Sequence, residues 1–195
     1  MKNSLKLSLA SLIINACFTV YHFILGCITS SWWMLTLSTY YLLLTTVRGV
    51  VLKSDNKEKF ITKFTGWMLI TMTIPLIGTV ILSTLKDRGL VLHMIIMITV
   101  ATYSFTMITL ATINLIKSRK TNSAKLIALR NISFADAFVS IFALQRSMLV
   151  SFEGMTEVEI IIMNAVLGSS VCVVVFLLGL NLLMSKKILF KTLNN

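Results

Sequence analysis

Two charged residues interrupt the apolar stretch ISFADAFVSIFALQRSML at residues 132–149. They are Asp136 and Arg146, ten positions apart. A charge held inside lipid is costly, so it marks a functional candidate unless the side chain can reach the membrane edge. Ten helical residues separate the two groups by about 15 Å along the axis and by roughly 80° around it. The spacing therefore predicts two separate features rather than one charged pair.

Arg146 is expected near the outer end of its helix, where a long side chain can extend to the lipid head groups. The outer loop also carries Glu153 and Glu157, which are alternative partners for the guanidinium. We therefore predict an anchoring role for Arg146.

Asp136 belongs to a face of small residues that recur at steps of three and four. That face comprises Ser133, Asp136, Ser140, Ala143 and Ser147. Small side chains let helices approach closely, so the face is expected to point into a bundle rather than toward lipid. Arg48, Arg130 and the positive end of the same helix are candidates to stabilise the carboxylate.

Two further polar faces occur in the first two apolar segments. One comprises Asn15, Thr19, His22 and Gly26, and the other comprises Ser38, Tyr41, Thr45 and Arg48. A tight turn at residues 29–31 would set His22 level with Ser38, Thr19 with Tyr41, and Asn15 with Thr45, as a hydrogen-bonded ladder. The two readings are helix–helix packing and a polar pathway in which His22 is a titratable group. The candidate pathway or substrate-contacting residues are His22, Tyr41, Arg48, Asp136 and Asn15.

The composition is that of a membrane protein. The 195 residues are 56% hydrophobic and 13% charged, against about 25% charged in soluble domains. The formal charge of +11 comes from short basic segments between uncharged runs, which membrane topology and lipid head groups explain. No basic patch is interleaved with aromatic residues, so no nucleic-acid partner is expected.

The apolar runs predict one all-α polytopic domain over residues 1–195. Residues 7–47 carry no formal charge and would be about 60 Å long as one helix, twice the hydrocarbon core. The run must therefore turn back, and the polar residues 29–31 are the expected turn. The six predicted transmembrane helices are roughly 7–28, 32–52, 64–85, 90–116, 131–152 and 160–184.

The lysines and arginines predict that both termini are cytoplasmic, because loops on that side carry the excess of positive charge. The opposite side has only Lys86 and Arg88, together with the acidic loop. The cytoplasmic side receives Lys2, Lys6, Lys53, Lys57, Lys59, Lys63, Lys117, Arg119, Lys120, Lys125, Arg130, Lys186, Lys187 and Lys191.

Two further expectations concern packing and anchoring. Threonines recur at helical spacing in the fourth helix and predict a packing face; they are Thr99, Thr102, Thr106 and Thr109. The tryptophans predict an aromatic belt, with Trp32 and Trp33 at the outer interface and Trp67 at the inner one.

Motifs of known enzyme classes are missing from the sequence. It contains no phosphate loop, HExxH, GxSxG or CxxC. Intramembrane proteolysis would require a serine or paired aspartates with a partner base, and only one carboxylate lies within the predicted spans. We therefore expect no enzymatic activity.

The stretch NACFTVYHFILGCITSSWW at residues 15–33 is followed by a tyrosine-rich second helix. It resembles the opening hairpin of the cation diffusion facilitators, where an asparagine, a glycine and a serine recur at similar places. The resemblance implies a six-helix transporter with cytoplasmic termini. The pattern YH, SSWW, YY and Arg48, with LQRSML in helix five, is more similar still to small six-helix membrane proteins of unassigned function from low-GC Gram-positive bacteria.

The metal ligands of the facilitator family have no counterpart here. Those ligands are Asp or His residues one turn apart in helices two and five. Helix two here has Tyr40 and Tyr41 without a carboxylate, and in helix five Asp136 is followed by Ser140. Metal cations need charged oxygen or imidazole ligands, so we predict no metal site and no cofactor. The family's cytoplasmic C-terminal domain is not expected either.

We expect an integral protein of the bacterial cytoplasmic membrane that is transporter-like or transporter-derived, with no substrate identified. The alternative is a non-transporting subunit or scaffold, such as the substrate-binding subunit of an energy-coupling-factor importer. Small-residue faces on helices five and six would suit such association. The expected partner is the lipid bilayer, and a homodimer or a partner membrane protein is left open.

Overall fold

The computed structural model describes residues 2–54, 58–85, 94–118, 123–151 and 155–184. These residues form six helices and no strand, which confirms the all-α class for the described part of the chain. The helices are α1 (Lys2–Thr29), α2 (Trp32–Lys53), α3 (Glu58–Leu85), α4 (Met94–Ser118), α5 (Ala124–Ser151) and α6 (Glu157–Met184).

Three helices begin at least five residues earlier than the charge pattern predicts. α1 begins at Lys2 instead of residue 7, α3 at Glu58 instead of residue 64, and α5 at Ala124 instead of residue 131. Lysine, arginine and glutamate are good helix formers, so a charged residue ends the apolar span without ending the helix. All three helices therefore extend past the apolar segment on the side that carries the excess of lysine and arginine.

The exterior of the bundle is apolar, and its interior holds polar and charged side chains beside a hydrophobic core. Ile74, Phe105 and Val158 are among the exposed large side chains, whereas Arg48 and Asp136 are buried. A soluble protein rarely buries charged residues in this way. Each of the six described helices is long and apolar enough to cross a bilayer. The described helices are therefore compatible with a multi-pass integral membrane protein.

α5 is the central helix of the bundle. It contacts each of the other five described helices, and 72% of its apolar span is buried, against 22% for α6. The face predicted from its small residues lies inside the bundle, since Ser133, Asp136, Ser140 and Ser147 are all buried. A polar group on this face is therefore surrounded by neighbouring helices.

The turn predicted at residues 29–31 is confirmed. α1 ends at Thr29 and α2 begins at Trp32. Ser30 adopts a left-handed backbone with φ of 51°, and the Ser31 N–H donates to the Gly26 carbonyl at 3.1 Å. This is a Schellman motif, which satisfies a carbonyl at the end of α1 and reverses the chain.

Replacing Ser30 with glycine should stabilise the protein by about 0.5–1 kcal/mol, because glycine adopts a left-handed backbone without a steric penalty. The unfolding transition in detergent micelles would measure this gain. Ser30→Val is the opposite control, since a β-branched side chain is strained at positive φ. If both variants unfolded at the wild-type temperature, the left-handed turn would contribute nothing to stability.

α3 and α6 pack closely through glycines. A Cβ atom on Gly179 would lie 3.0 Å from the Gly66 carbonyl oxygen, and one on Gly66 would lie 3.1 Å from the Gly179 carbonyl oxygen. Gly168 is in a similar position against Val80. The small-residue face predicted on α6 therefore packs within the chain, and it is not presented to a partner helix.

The packing face predicted on α4 is wrong. Its threonines lie on the exposed or half-exposed side, and each donates to the carbonyl four residues earlier. Because a threonine can satisfy its own hydroxyl, it carries no penalty when it faces outward. The buried face of α4 instead comprises Val100, Tyr103, Ser104, Met107, Ala111 and Asn114.

Candidate functional site

Asp136 accepts hydrogen bonds from three neighbouring helices. Asn15 of α1 donates to Oδ2 at 2.6 Å, and Arg48 of α2 donates to the same oxygen at 3.2 Å. The Tyr103 hydroxyl of α4 lies 3.1 Å from Oδ1 and 3.0 Å from the Asn15 side-chain oxygen. We call these four residues the polar centre. Both oxygens of the buried carboxylate are thus satisfied, as burial of a charge requires.

Arg48 forms an ion pair with Asp136 in which the residues are 0% and 1% exposed. Its guanidinium also donates to Ser11 of α1 and, at 3.4 Å, to Ser133 of α5. The Nε atom has no hydrogen-bond partner among the described residues. The contact with the carboxylate uses one nitrogen and one oxygen, so it is not the bidentate arrangement that makes Arg–carboxylate pairs strongest.

The structure selects one of the predicted partners of Asp136. Arg48 is in contact with it. The N-terminal end of α5 is not, because Asp136 lies twelve residues after Ala124, about 18 Å along the helix axis. A helix dipole acts mainly within the first turn, so it does not account for the charge at this depth. Arg130, only six residues into α5, is half-buried rather than part of the ion pair.

Three residues of the network were not predicted. Tyr103 and Asn114 of α4 and Ser11 of α1 are all buried, and Asn114 donates to Ser133 at 3.4 Å. Tyr103 could have been predicted to be buried, because it recurs with the apolar residues Val100 and Met107 at steps of three and four. The threonines at the same spacing on α4 instead led to the prediction of a different buried face.

Aromatic rings cover one side of the polar centre. Phe18 stacks on Tyr103 with centroids 3.5 Å apart and an interplanar angle of 2°. Tyr41 meets both rings edge-on at 5.5 Å, and His22 packs against Phe18 at 4.2 Å. We call Phe18, His22, Tyr41 and Tyr103 the aromatic cluster. Such pairs add to burial by about 0.5–1.5 kcal/mol each.

The predicted site residues therefore divide into two groups. Asn15, Arg48 and Asp136 are joined by hydrogen bonds. His22 and Tyr41 lie in the adjoining aromatic cluster, where Nδ1 of His22 is 3.2 Å from the Phe18 carbonyl oxygen. The Tyr41 hydroxyl is buried and faces the side chains of Ser140 and Tyr103, whereas the buried Tyr40 hydroxyl has no hydrogen-bond partner among the described residues.

The predicted ladder between α1 and α2 does not form. Ser38 donates to the Thr19 carbonyl at 3.1 Å instead of meeting His22. Thr45 donates to the Tyr41 carbonyl on its own helix. Asn15 turns toward α5 rather than toward Thr45, because the carboxylate of Asp136 is a stronger acceptor than a hydroxyl.

Arg146 does not extend out of the bundle as predicted. It is 4% exposed, and its guanidinium lies 4.5 Å from the centre of the Trp33 ring. Trp33 is itself 4% exposed, so it belongs to the core rather than to the interfacial belt, whereas Trp32 is 70% exposed. A cation over an indole face is electrostatically favourable, which gives Arg146 an alternative to the head groups. Glu153, the other predicted partner in the acidic loop, lies outside the described residues.

Replacing Tyr103 with phenylalanine should destabilise the protein by about 1 kcal/mol, because the carboxylate would lose one donor while the ring stack remains. Tyr40→Phe is the matched control, since its buried hydroxyl has no partner among the described residues. That change should be neutral or slightly stabilising. Unfolding of both variants in mixed micelles measures the difference, and equal values would contradict the hydrogen-bond assignment.

No metal cluster of the facilitator type is present in the described ranges, which hold no group of three or more His, Cys, Asp or Glu side chains. No protein-family model, curated protein or solved structure matches the sequence. The chemistry of the site therefore follows from its own residues.

Proposed function

We propose that the protein is a transporter of the bacterial cytoplasmic membrane and that its transport site is the polar centre. The observation that carries this proposal is the buried ion pair between Arg48 and Asp136. The proposal includes cytoplasmic termini, in accord with the distribution of lysine and arginine.

Stability does not explain a buried ion pair. Replacing such a pair with apolar residues of similar volume is often neutral or stabilising. Ionisable residues within membrane spans are rare, and they commonly belong to substrate or ion pathways. The pair lies where α5 meets α1, α2 and α4, so its rearrangement would change the contacts of all four helices.

The arrangement provides a means of coupling. In the structure Arg48 donates a hydrogen bond to the Asp136 carboxylate. A cationic substrate or a proton that binds to this carboxylate neutralises it, so the attraction that holds the guanidinium is lost. Release of the guanidinium would loosen α2 from α5, and the site could then open to the opposite side of the membrane.

The scaffold alternative lacks support from the packing. It rested on small-residue faces of the fifth and sixth helices that would be free to bind partner helices. Gly168 and Gly179 of α6 instead meet Val80 and Ile70 of α3, and the small residues of α5 are buried inside the bundle. Those faces are used inside the chain.

The proposed orientation predicts opposite labelling of two exposed positions. Both Lys59 and Thr156 are exposed, and the three native cysteines would first be replaced with serine. A cysteine at Thr156 should react with a membrane-impermeant maleimide in intact cells. One at Lys59 should react only after the cells are permeabilised. The reversed result would place the termini outside.

Transport can be tested without a presumed substrate. Untargeted mass spectrometry would compare the culture medium of cells that make wild-type protein, cells that make the Asp136→Asn variant, and cells with neither. We expect at least one solute to be depleted or enriched by the wild type alone. If the three media were identical while both proteins were present in the membrane, the transport proposal would be wrong.

A further inference from the structure

The binding groups around Arg48 make up a site for a guanidinium group. Its two terminal nitrogens donate to the Asp136 carboxylate and to the hydroxyls of Ser11 and Ser133. These acceptors come from α1 and α5, whereas the guanidinium comes from α2. The same acceptors would serve a free guanidinium or ammonium ion, because its donors have the same charge and similar reach.

Arg48 is not held as firmly as an arginine can be. The contact with Asp136 is 3.2 Å long and involves one nitrogen and one oxygen. Its Nε atom has no hydrogen-bond partner among the described residues. A bidentate pair would present both terminal donors to both oxygens and would be harder to displace. The geometry therefore allows another cation to compete for the carboxylate.

The surroundings of the carboxylate favour an organic cation over a metal ion. The Tyr103 hydroxyl reaches Asp136, Phe18 stacks on the face of the Tyr103 ring, and Tyr41 meets both rings edge-on. Aromatic rings attract poorly hydrated cations. A divalent metal needs several charged ligands, and Asp136 is the one buried carboxylate among the residues that the structure describes.

One buried hydroxyl next to this site is unpaired. The Tyr40 hydroxyl has no hydrogen-bond partner in the described part of the chain, whereas the Tyr41 hydroxyl faces the side chains of Ser140 and Tyr103. The two rings are in contact, with centroids 5.7 Å apart, and Tyr41 adjoins Tyr103. A buried unpaired polar group is costly, so the Tyr40 hydroxyl is a candidate contact for a bound ligand.

We propose that Asp136 binds a small monovalent organic cation, of the guanidinium or primary-ammonium type, in exchange with Arg48. The proposal rests on the transport function proposed above and names its substrate class. The Arg48 guanidinium occupies the cation site between transport events. A bound cation would take the place of the guanidinium against the carboxylate and the two serine hydroxyls, next to the aromatic cluster.

Isothermal titration calorimetry on the purified full-length protein in detergent tests this proposal, with methylguanidinium and ethylammonium chlorides as probes. Arg48→Met removes the internal competitor, and an alkaline buffer keeps the freed Asp136 carboxyl group ionised so that a proton does not take the place of the probe. If the site is free for one tenth of the time in the wild type, the variant should bind the probes about tenfold more tightly. Asp136→Asn should abolish binding. Phe18→Leu keeps all hydrogen-bonding groups of the polar centre and should weaken binding.

Arg146→Met is the matched control, because it removes a buried arginine that stacks on an aromatic ring but is not paired with Asp136. It should leave the affinity for the probes unchanged. The proposal is wrong if Arg48→Met fails to increase the affinity for the probes. It is also wrong if the organic cations do not bind while an anion (acetate) or a divalent metal ion (Zn²⁺) does. A solute that moves in the mass-spectrometry experiment without any binding of these probes would refute the substrate class and leave the transport function standing.

Discussion

Replacing Asp136 with asparagine should lower the free energy of unfolding by about 3–5 kcal/mol, because it leaves a fully buried guanidinium without its counter-charge. The amide has nearly the same volume as the carboxyl group, so packing is preserved. Its single oxygen can still accept from Asn15 or from Tyr103, but not from both sides of the group. The loss therefore reports on the charge together with one acceptor, and it should exceed the losses caused by Tyr103→Phe and Gly179→Ala.

Arg48→Met should cost less than Asp136→Asn. A carboxylate that loses its partner can become neutral by binding a proton, whereas a guanidinium stays charged at any accessible pH. When both changes are combined, no unpaired charge remains in the interior. The double variant should therefore recover most of the lost stability and unfold within about 2 kcal/mol of the wild type.

The double-mutant cycle is measured by unfolding in mixed detergent micelles, with secondary structure followed by circular dichroism. We expect a coupling energy between the two changes that is well above the average of about 0.6 kcal/mol for hydrogen bonds in membrane proteins. If the effects of the two changes were simply additive, Arg48 and Asp136 would not form an ion pair in the folded protein.

Gly179→Ala should produce the second largest loss of stability, about 1–3 kcal/mol. The added methyl group would lie 2.9 Å from Cγ1 of Ile70, 3.0 Å from the Gly66 carbonyl oxygen and 3.2 Å from the Ile70 nitrogen. Two of these three atoms belong to the backbone and cannot rotate away. α3 and α6 would have to separate, and in lipid their association depends mainly on close packing.

Gly78→Ala is the matched control for this prediction. A Cβ atom at Gly78, also on the α3 helix, meets nothing within 4 Å. Alanine is favoured over glycine in helices by about 1 kcal/mol, so this variant should be as stable as the wild type or more so. Thermal unfolding in the same detergent compares the two variants. A Gly179→Ala variant as stable as Gly78→Ala would contradict the close α3–α6 contact.

Residue spacing was sufficient to predict the buried faces of α1, α2 and α5. A charged or amide side chain in an apolar helix is costly to expose to lipid, so Asn15, Arg48 and Asp136 could be placed in the interior from the sequence. The face of α4 could not be predicted in this way. Its threonines bond to their own helix and gain nothing from facing inward, while Tyr103 is a single residue among apolar ones.

Contacts between helices could not be predicted from spacing alone. Asn15 and Asp136 are 121 positions apart, and only the packing of α1 against α5 brings them together. The turn between α1 and α2 allowed their residues to be paired approximately by depth, but not to the accuracy of one hydrogen bond. For Arg146, the prediction of an outward side chain overlooked the buried Trp33 ring as a partner.

The central claim is that the Arg48–Asp136 pair serves transport and not the stability of the fold. The most direct test is the rate at which the solute identified by mass spectrometry enters proteoliposomes that contain the double variant Arg48→Met/Asp136→Asn. We predict a protein that folds and inserts as the wild type does but moves the solute no faster than empty liposomes. Uptake at the wild-type rate by the double variant would contradict the account.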